Sequence, residues 1–476
     1  MLDLKVTTNI GRQILFEDAA VEELKSSLGG RLLRLGDEGY DEARSLWNGM
    51  IDKRPALIVR ATGVADVIDA VNFARTNELL LSVRGGGHNV AGLAVSDGGL
   101  MIDLSLMKGI RVDPKARAAW AQPGATLGDL DRETQAFGLA VPAGIVSTTG
   151  IAGLTLGGGI GWLSRKHGLT SDNLLSADVV TADGRFLRAS DDENADLFWG
   201  LRGGGGNFGI VTSFQYALHP VGPMVVAGLV LHPMDQATEF LQFYREYAAT
   251  APDELTAIPL LRRAPAAPFL AQEVHGAPVV GVAVLYAGSI EDGQRALQPL
   301  KDFGSPLADL IGPKPFIAHQ KMFDSGAPHG NQYYLKTEYL PGFSDEAIET
   351  IAAHGAAITS PLSLAAFFHL GGAVSRVDED ASAFSHREAA FALNIQAAWL
   401  DPAESDRHIG WTRDFWRAIQ PYSTGGVYVN FLSEDEGQDR VKAAYGAAKY
   451  ERLVALKNKY DPTNLFRLNQ NIKPTQ

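Results

Sequence analysis

The 476 residues contain no cysteine. That excludes disulfides, thiolate metal sites and a cysteine nucleophile. Positive charge is also scarce: 42 Lys and Arg stand against 55 Asp and Glu, a formal net charge of −13 at pH 7. Proteins that grip a phosphate backbone carry a basic stripe, so nucleic acid is not an expected partner. Long apolar runs are missing. The opening "MLDLKVTTNIGRQIL" has neither the basic n-region nor the continuous apolar h-region of a signal peptide, and no later window approaches a membrane span. The expectation is a soluble, cytoplasmic protein with no membrane partner. G-x-S-x-G, P-loop and H-E-x-x-H motifs are absent too, which removes the commonest hydrolase and phosphotransferase templates, and no metal site is expected.

Glycine, by contrast, is abundant, at 51 residues. Length alone suggests two or three domains. "ALIVR" (Ala56 to Arg60) reads as a buried strand, and Val64, Val67, Ile68, Val71 and Ala74 follow the spacing of one helix face. "LLLSVR" then runs straight into "RGGGHN", giving a β–α–β–loop unit with its loop at the carboxyl end of a strand, where α/β proteins hold ligands. "IRVDPKARAAWAQPG" and "DVVTADGRFLRAS" read as hairpins, and "LGDLDRETQAFG" as an amphipathic helix closed by Gly138.

After Pro220 the glycine clusters stop. Strands are expected at "VVAGLVLHP", "VVGVAVLYAG", "YYLKTEYL", "LSLAAFFHL", "ALNIQAAWL" and "GVYVNFL", with helices near 235–249, 290–303, 345–356 and 402–419. This spacing predicts an α+β unit, a largely antiparallel sheet backed by helices on one face, with the other face free to cover something. A last helix is expected over about 438–459. The tail "LFRLNQNIKP" is too apolar and too rich in asparagine to be a plain solvated terminus.

Four glycine clusters, Gly85–Gly87, Gly150/Gly153, Gly157–Gly161 and Gly203–Gly209, fall within about 125 residues. Successive backbone N–H groups in such turns form concavities suited to a pyrophosphate, and several loops on one ligand imply a large phosphate-bearing cofactor. "GGGNFG" (Gly204 to Gly209) matches G-x-G-x-x-G, but it lacks the preceding strand and following helix of a dinucleotide fingerprint. A nicotinamide-type Rossmann reading is therefore rejected. His88 is the polar group of the first loop, and a neutral imidazole held against a cofactor is a nucleophile.

The stretches "RGGGHNVAGLAVSDGGLMIDLS", "PAGIVSTTGIAGLTLGGGIGWLSRKHGLTSDNLLSADVVTADG", "ENADLFWGLRGGGGNFGIVTSF" and "YDPTNLF" together resemble the berberine-bridge-enzyme-like flavoproteins of the vanillyl-alcohol-oxidase superfamily. The resemblance implies a PCMH-type FAD-binding domain over 1–222 with its core at about 52–222. It further implies a substrate-binding domain over 223–434 and a C-terminal segment, 435–476, that returns to the FAD domain. His88 falls on the family histidine bonded to the flavin 8α-methyl, and Arg84, Gly85, Gly86, Gly87, Asn89, Gly92, Gly124, Thr148, Gly150, Gly153, Gly209 and Val211 would line the cofactor. Thr149 matches a position that helps decide oxygen access.

Two departures stand out. Val146 replaces the cysteine that makes a second flavin link in many relatives, and "YVNF" (Tyr428 to Phe431) ends in phenylalanine where relatives place a base tyrosine. Strand alternation would put Tyr428 and Asn430 on one face, towards the flavin, with Asn430 bonding ring or substrate and Tyr428 accepting a proton or positioning. Tyr334 and His369 are weaker catalytic candidates. Asn394 and Gln396 are read as structural or solvent-facing, and His386 and Arg387 as bracing. The implied reaction is hydride transfer from an activated C–H of an alcohol, sugar, phenolic or amine-type small molecule to flavin N5, with O2 as final acceptor. A flavin dehydrogenase using another acceptor, or a non-catalytic flavin-binding protein, is the alternative. Substrate and oligomeric state stay open.

Overall fold

The computed structural model describes residues 4–475 as an α+β protein. Strand Leu57–Arg60 leads into helix Val64–Thr76, whose Val67, Ala70, Val71 and Ala74 are fully buried at the spacing of one helix face. Strand Leu81–Arg84 follows. It and Leu57–Arg60 both run parallel to Leu100–Asp103, which lies between them. Asp66 in the first helical turn is buried but satisfied, accepting N–H bonds from Gly29 and Thr62 at 2.7 Å each.

A second, five-stranded antiparallel sheet contains both expected hairpins, Ile110–Asp113 with Ala118–Ala121 and Leu174–Val180 with Phe186–Ser190. Helix Leu127–Gln135 opens with a capping box in which Thr126 accepts from Asp129 N–H and the Asp129 carboxylate accepts from Thr126 N–H.

Beyond Pro220 lies an eight-stranded sheet whose central run is Met224–Pro233, Pro278–Tyr286, Leu255–Arg263, Leu364–His369, Phe391–Trp399 and Gln332–Leu340. The pairs along this run are antiparallel. Side chains alternate between its faces. Leu255, Ala257 and Leu261, and likewise Phe391, Leu393, Ile395 and Ala397, pack on the side covered by helices Ala237–Ala249, Asp345–Ala356 and Ser405–Ile419. Ile258, Leu260, Ala366, Phe368 and Ala392 point the other way and meet Ile160, Trp162, Leu163 and Leu169 of the N-terminal half.

Three local expectations need correction. Strand Leu255–Arg263 is not among the expected strands; it carries Pro259 in a central strand, and the ladder to Leu364–His369 begins only at Leu260, so the missing N–H breaks no bond there. Residues 426–432 are not a strand: Val429–Phe431 form a single 3₁₀ turn closed by Phe431 N–H to Tyr428 O. The last helix is two, Gln438–Ala443 and Ala447–Tyr460, interrupted where Gly446 takes φ +71°.

Candidate active site

Where strand Leu81–Arg84 ends, Gly85–Gly87 and His88 enter the wall of a cavity of about 380 Å³. Thr149, Gly150, Ala152 and Gly153 share that wall. The two loops touch: a Cβ on Gly86 would stand 2.4 Å from Gly150 Cα, an approach only two glycines allow. At Gly153 an added Cβ would meet nothing within 4 Å. Gly205, Gly206, Asn207, Gly209 and Val211 form another part of the wall with Phe466, Asn469 and Gln470 of the tail, and Asn469 donates to Gly206 O at 3.2 Å.

His88 is fixed from several sides. Its ring stacks on Trp47 at 5.1 Å and meets the His329 ring edge-on at 5.5 Å. Nε2 lies 3.1 Å from Thr148 Oγ1 and Nδ1 lies 3.5 Å from Thr149 Oγ1. Burial, reinforced by the neighbouring His329, pushes the imidazole down to about 3, so it is neutral near pH 7. Trp47 gives no sequence signal of this role. Its neighbour Asn48 donates to Val90 O and Tyr333 O, clipping the His88 loop to strand Gln332–Leu340.

Tyr428, Val429, Asn430 and Phe431 all reach the cavity, because a 3₁₀ turn does not split its residues between two faces as a strand does. The Tyr428 hydroxyl accepts from Gly159 N–H at 3.0 Å and from Asn430 Nδ2 at 2.9 Å. Burial raises its pKa, and the bonds it accepts only partly oppose that, so the phenol keeps its proton. Asn430 Nδ2 also reaches Leu154 O, at 3.2 Å. Asn89 lines the cavity while its Oδ1 caps Leu93 N–H. Val146 lines it as well.

Other candidates fall elsewhere. Arg84 donates to Ala43 O at 2.7 Å, Gly92 packs on Ile51, and Gly124 packs on the Leu104 carbonyl; none of the three lines the cavity. Thr148 is also absent from the wall and serves His88 instead. Tyr334 and His369 sit on the helix-covered face, since period-two alternation sends Leu335 and Phe368 to the cavity and their neighbours away. Tyr334 bonds Asp435 and Arg413, and His369 bonds Arg165. The same parity overturns the structural reading of Asn394 and Gln396, which line the cavity together with Arg262, Leu364 and Phe368. Arg387 makes a two-pronged ion pair with Asp172 at 3.0 and 2.7 Å, a brace across 215 positions of sequence.

The walls fit a large, phosphate-bearing planar cofactor. Backbone-rich glycine turns and apolar side chains share the lining, and the buried Oδ1 atoms of Asn394 and Asn469 have no partner among the described residues. Glycine loops, a desolvated histidine and a sheet-roofed pocket in one cavity define a flavin-dependent oxidoreductase.

Comparison with known proteins agrees. A family model described as an FAD binding domain matches residues 55–190, and one described as berberine and berberine-like matches 427–473. An FAD-linked oxidoreductase of Dictyostelium discoideum is 35% identical over 464 residues, covering 96% of this chain and 97% of the relative. The (R)-6-hydroxynicotine oxidase of Paenarthrobacter nicotinovorans is 31% identical over 467 residues, covering 94% and 97%. Among solved structures, 6-hydroxy-D-nicotine oxidase from Arthrobacter nicotinovorans superposes with a TM-score of 0.85 at 28% identity over 94% of this chain and 99% of that one. BBE-like 1 of Physcomitrella patens gives 0.83 at 25% identity over 94% and 97%. The chain belongs to the berberine-bridge-enzyme-like FAD-linked oxidoreductases. Among its described residues, no helix is long and apolar enough to cross a membrane.

Proposed function

We propose that the chain is an oxidase that tethers FAD through His88 alone and oxidises an activated C–H bond of a small organic molecule, with O2 as acceptor. The observation that carries this reading is the His88 imidazole: neutral, packed on Trp47 and presented to the cavity that the glycine turns enclose. A hydroxyl stands beside each ring nitrogen, so one threonine can take the N–H while the other nitrogen keeps its lone pair for bonding. With Val146 in place of a thiol and no cysteine in the chain, one covalent link is the limit.

When bound, FAD supplies a hydride acceptor at N5 and an electron pair for O2. Gly85–Gly87 and Gly205–Gly209 would hold its phosphate-bearing part, and Asn430 and Tyr428 a polar edge of ring or substrate. Tyr428 is a positioning donor rather than a base, because its oxygen already accepts two bonds and its proton is held by burial. The cavity-lining residues include no carboxylate and no lysine. The substrate O–H or N–H proton would therefore leave to water.

Acid denaturation tests the tether. Yellow colour should stay with the precipitated parent protein and pass into the supernatant for His88→Ala. Free flavin from the parent would remove the tether. For the reaction, anaerobic substrate should bleach the flavin and admission of air should restore it rapidly; slow reoxidation beside fast dye reduction would make the protein a dehydrogenase.

A further inference from the structure

The cavity's charge is unbalanced. Its ionisable lining residues are His88, Arg262 and Tyr428, of which His88 is neutral and Tyr428 protonated. Arg262 alone carries charge there. It enters no ion pair among the described residues, and only its Nε is used, on the adjacent Arg263 carbonyl at 3.2 Å. Nη1 and Nη2 find no acceptor among the described residues. Arg263 next to it is spent on structure, donating to Ile358 O at 2.9 Å and Gly276 O at 2.7 Å. Burial depresses the Arg262 pKa with no neighbouring carboxylate to oppose it. Arg262 is half-buried, and its unpartnered Nη donors are accessible at the cavity wall, open to an acceptor carried by a ligand.

The strand register shows what that ligand would span. Arg262 pairs with Leu364, Leu364 with Gln396, and Gln396 with Leu335, and all four line the cavity. Leu335 clusters with Trp47, on which His88 stacks. The row thus starts beside the His88 anchor and ends at Arg262 three strand spacings away, roughly 14 Å. Between them Leu364, Ala366 and Phe368 offer an apolar bed, and Gln396 is the nearest cross-strand amide.

We propose that Arg262 docks a carboxylate carried by the substrate, with Gln396 as a second donor, so that the enzyme selects organic acids with an apolar body. This rests on the reading of the cavity as the flavin site. The planar fork of a guanidinium matches a carboxylate two-pronged, which fixes orientation as well as charge.

The test uses holoenzyme titrated with benzoate and phenylacetate against benzamide and phenylacetamide, followed by flavin difference absorbance and by calorimetry. The acids should bind the parent at least about 30-fold more tightly than the amides. Arg262→Met should weaken acid binding about 100-fold and leave amide binding unchanged, with Arg262→Lys between the two. Because the only bond of the Arg262 side chain is to the adjacent Arg263 carbonyl, Arg262→Met should keep its melting temperature and flavin content. The proposal falls if acids and amides bind the parent alike, if no acid binds, if Arg262→Met keeps the preference, or if that variant unfolds several degrees early. It also falls if Arg262→Met shifts the flavin potential while the preference survives, since Arg262 would then serve the ring. Protein that takes up no FAD overturns the parent reading instead, and calorimetry still reads the acid preference.

Discussion

Asp131 shows how far one side chain can depart from its usual state. It lies on helix Leu127–Gln135 at 2% exposure, its Oδ2 has no hydrogen-bond partner, and burial pushes its carboxyl up to about 8. The unfolded chain would lose that proton near pH 4. Between those values the folded state keeps a proton that the unfolded state has released, so the contribution is complete below about pH 4 and lost as pH rises through about 8. Asp131→Asn keeps the shape and removes the titration. It should melt above the parent at pH 8 and converge with it towards pH 4; thermal melts across that range would show parallel curves if Asp131 were ionised throughout. The spacing of Leu127, Leu130, Asp131 and Thr134 puts Asp131 on the buried face, but nothing in "LGDLDRETQ" tells that its carboxyl finds no partner there. His88 was legible for the opposite reason: the glycines beside it mark a loop whose side chain is presented. Arg262 was not legible, since the strand that aims it was not among those expected.

At the scale of elements, the glycine loops do two different jobs. Gly86 and Gly150 serve each other, their backbones in contact, whereas Gly153 faces open space. Gly86→Ala would drive a methyl into backbone that cannot rotate aside, an overpacking cost of typically 1–3 kcal/mol or about that order. Gly153→Ala should leave folding intact. The check is the melting temperature of flavin-free protein, where only Gly86→Ala should fall, and a Gly86→Ala variant as stable as the parent would mean the loops do not touch. Alternation was the most readable signal for the sheet, correctly placing most of its strands. Its faces were harder, because Tyr334 and His369 are polar and yet point at helices, while Asn394 and Gln396 point at the cavity. Alternation failed outright at 428–431, where the chain turns as a 3₁₀ helix.

For the whole molecule the question is how a tail some 250 residues from the glycine loop of 203–209 comes to share its cavity. The apolar, asparagine-rich tail could be recognised as unusual, but its partner could not, since contacts at such separation leave no local pattern. Lys457 and Asp461, both fully buried, form the joint. Lys457 Nζ donates to Asp461 at 2.6 Å, to Asn207 O in the glycine loop at 2.9 Å and to Phe466 O in the tail at 3.0 Å, using all its donors. Asp461 in turn accepts from Leu465 and Phe466 N–H at 2.7 and 2.9 Å. Breaking a buried pair from one side strands a charge and costs about 3–5 kcal/mol. Lys457→Met should therefore lower the melting temperature and loosen the tail, with faster proteolysis after residue 460 and loss of flavin in a His88→Ala background. Adding Asp461→Asn should recover part of the stability, because the stranded charge disappears while one acceptor for the tail N–H groups survives. A Lys457→Met protein with parental melting and an equally protected tail would mean that the tail is held by its apolar residues alone, with Leu465, Phe466 and Ile472 sufficient to close that wall of the cavity.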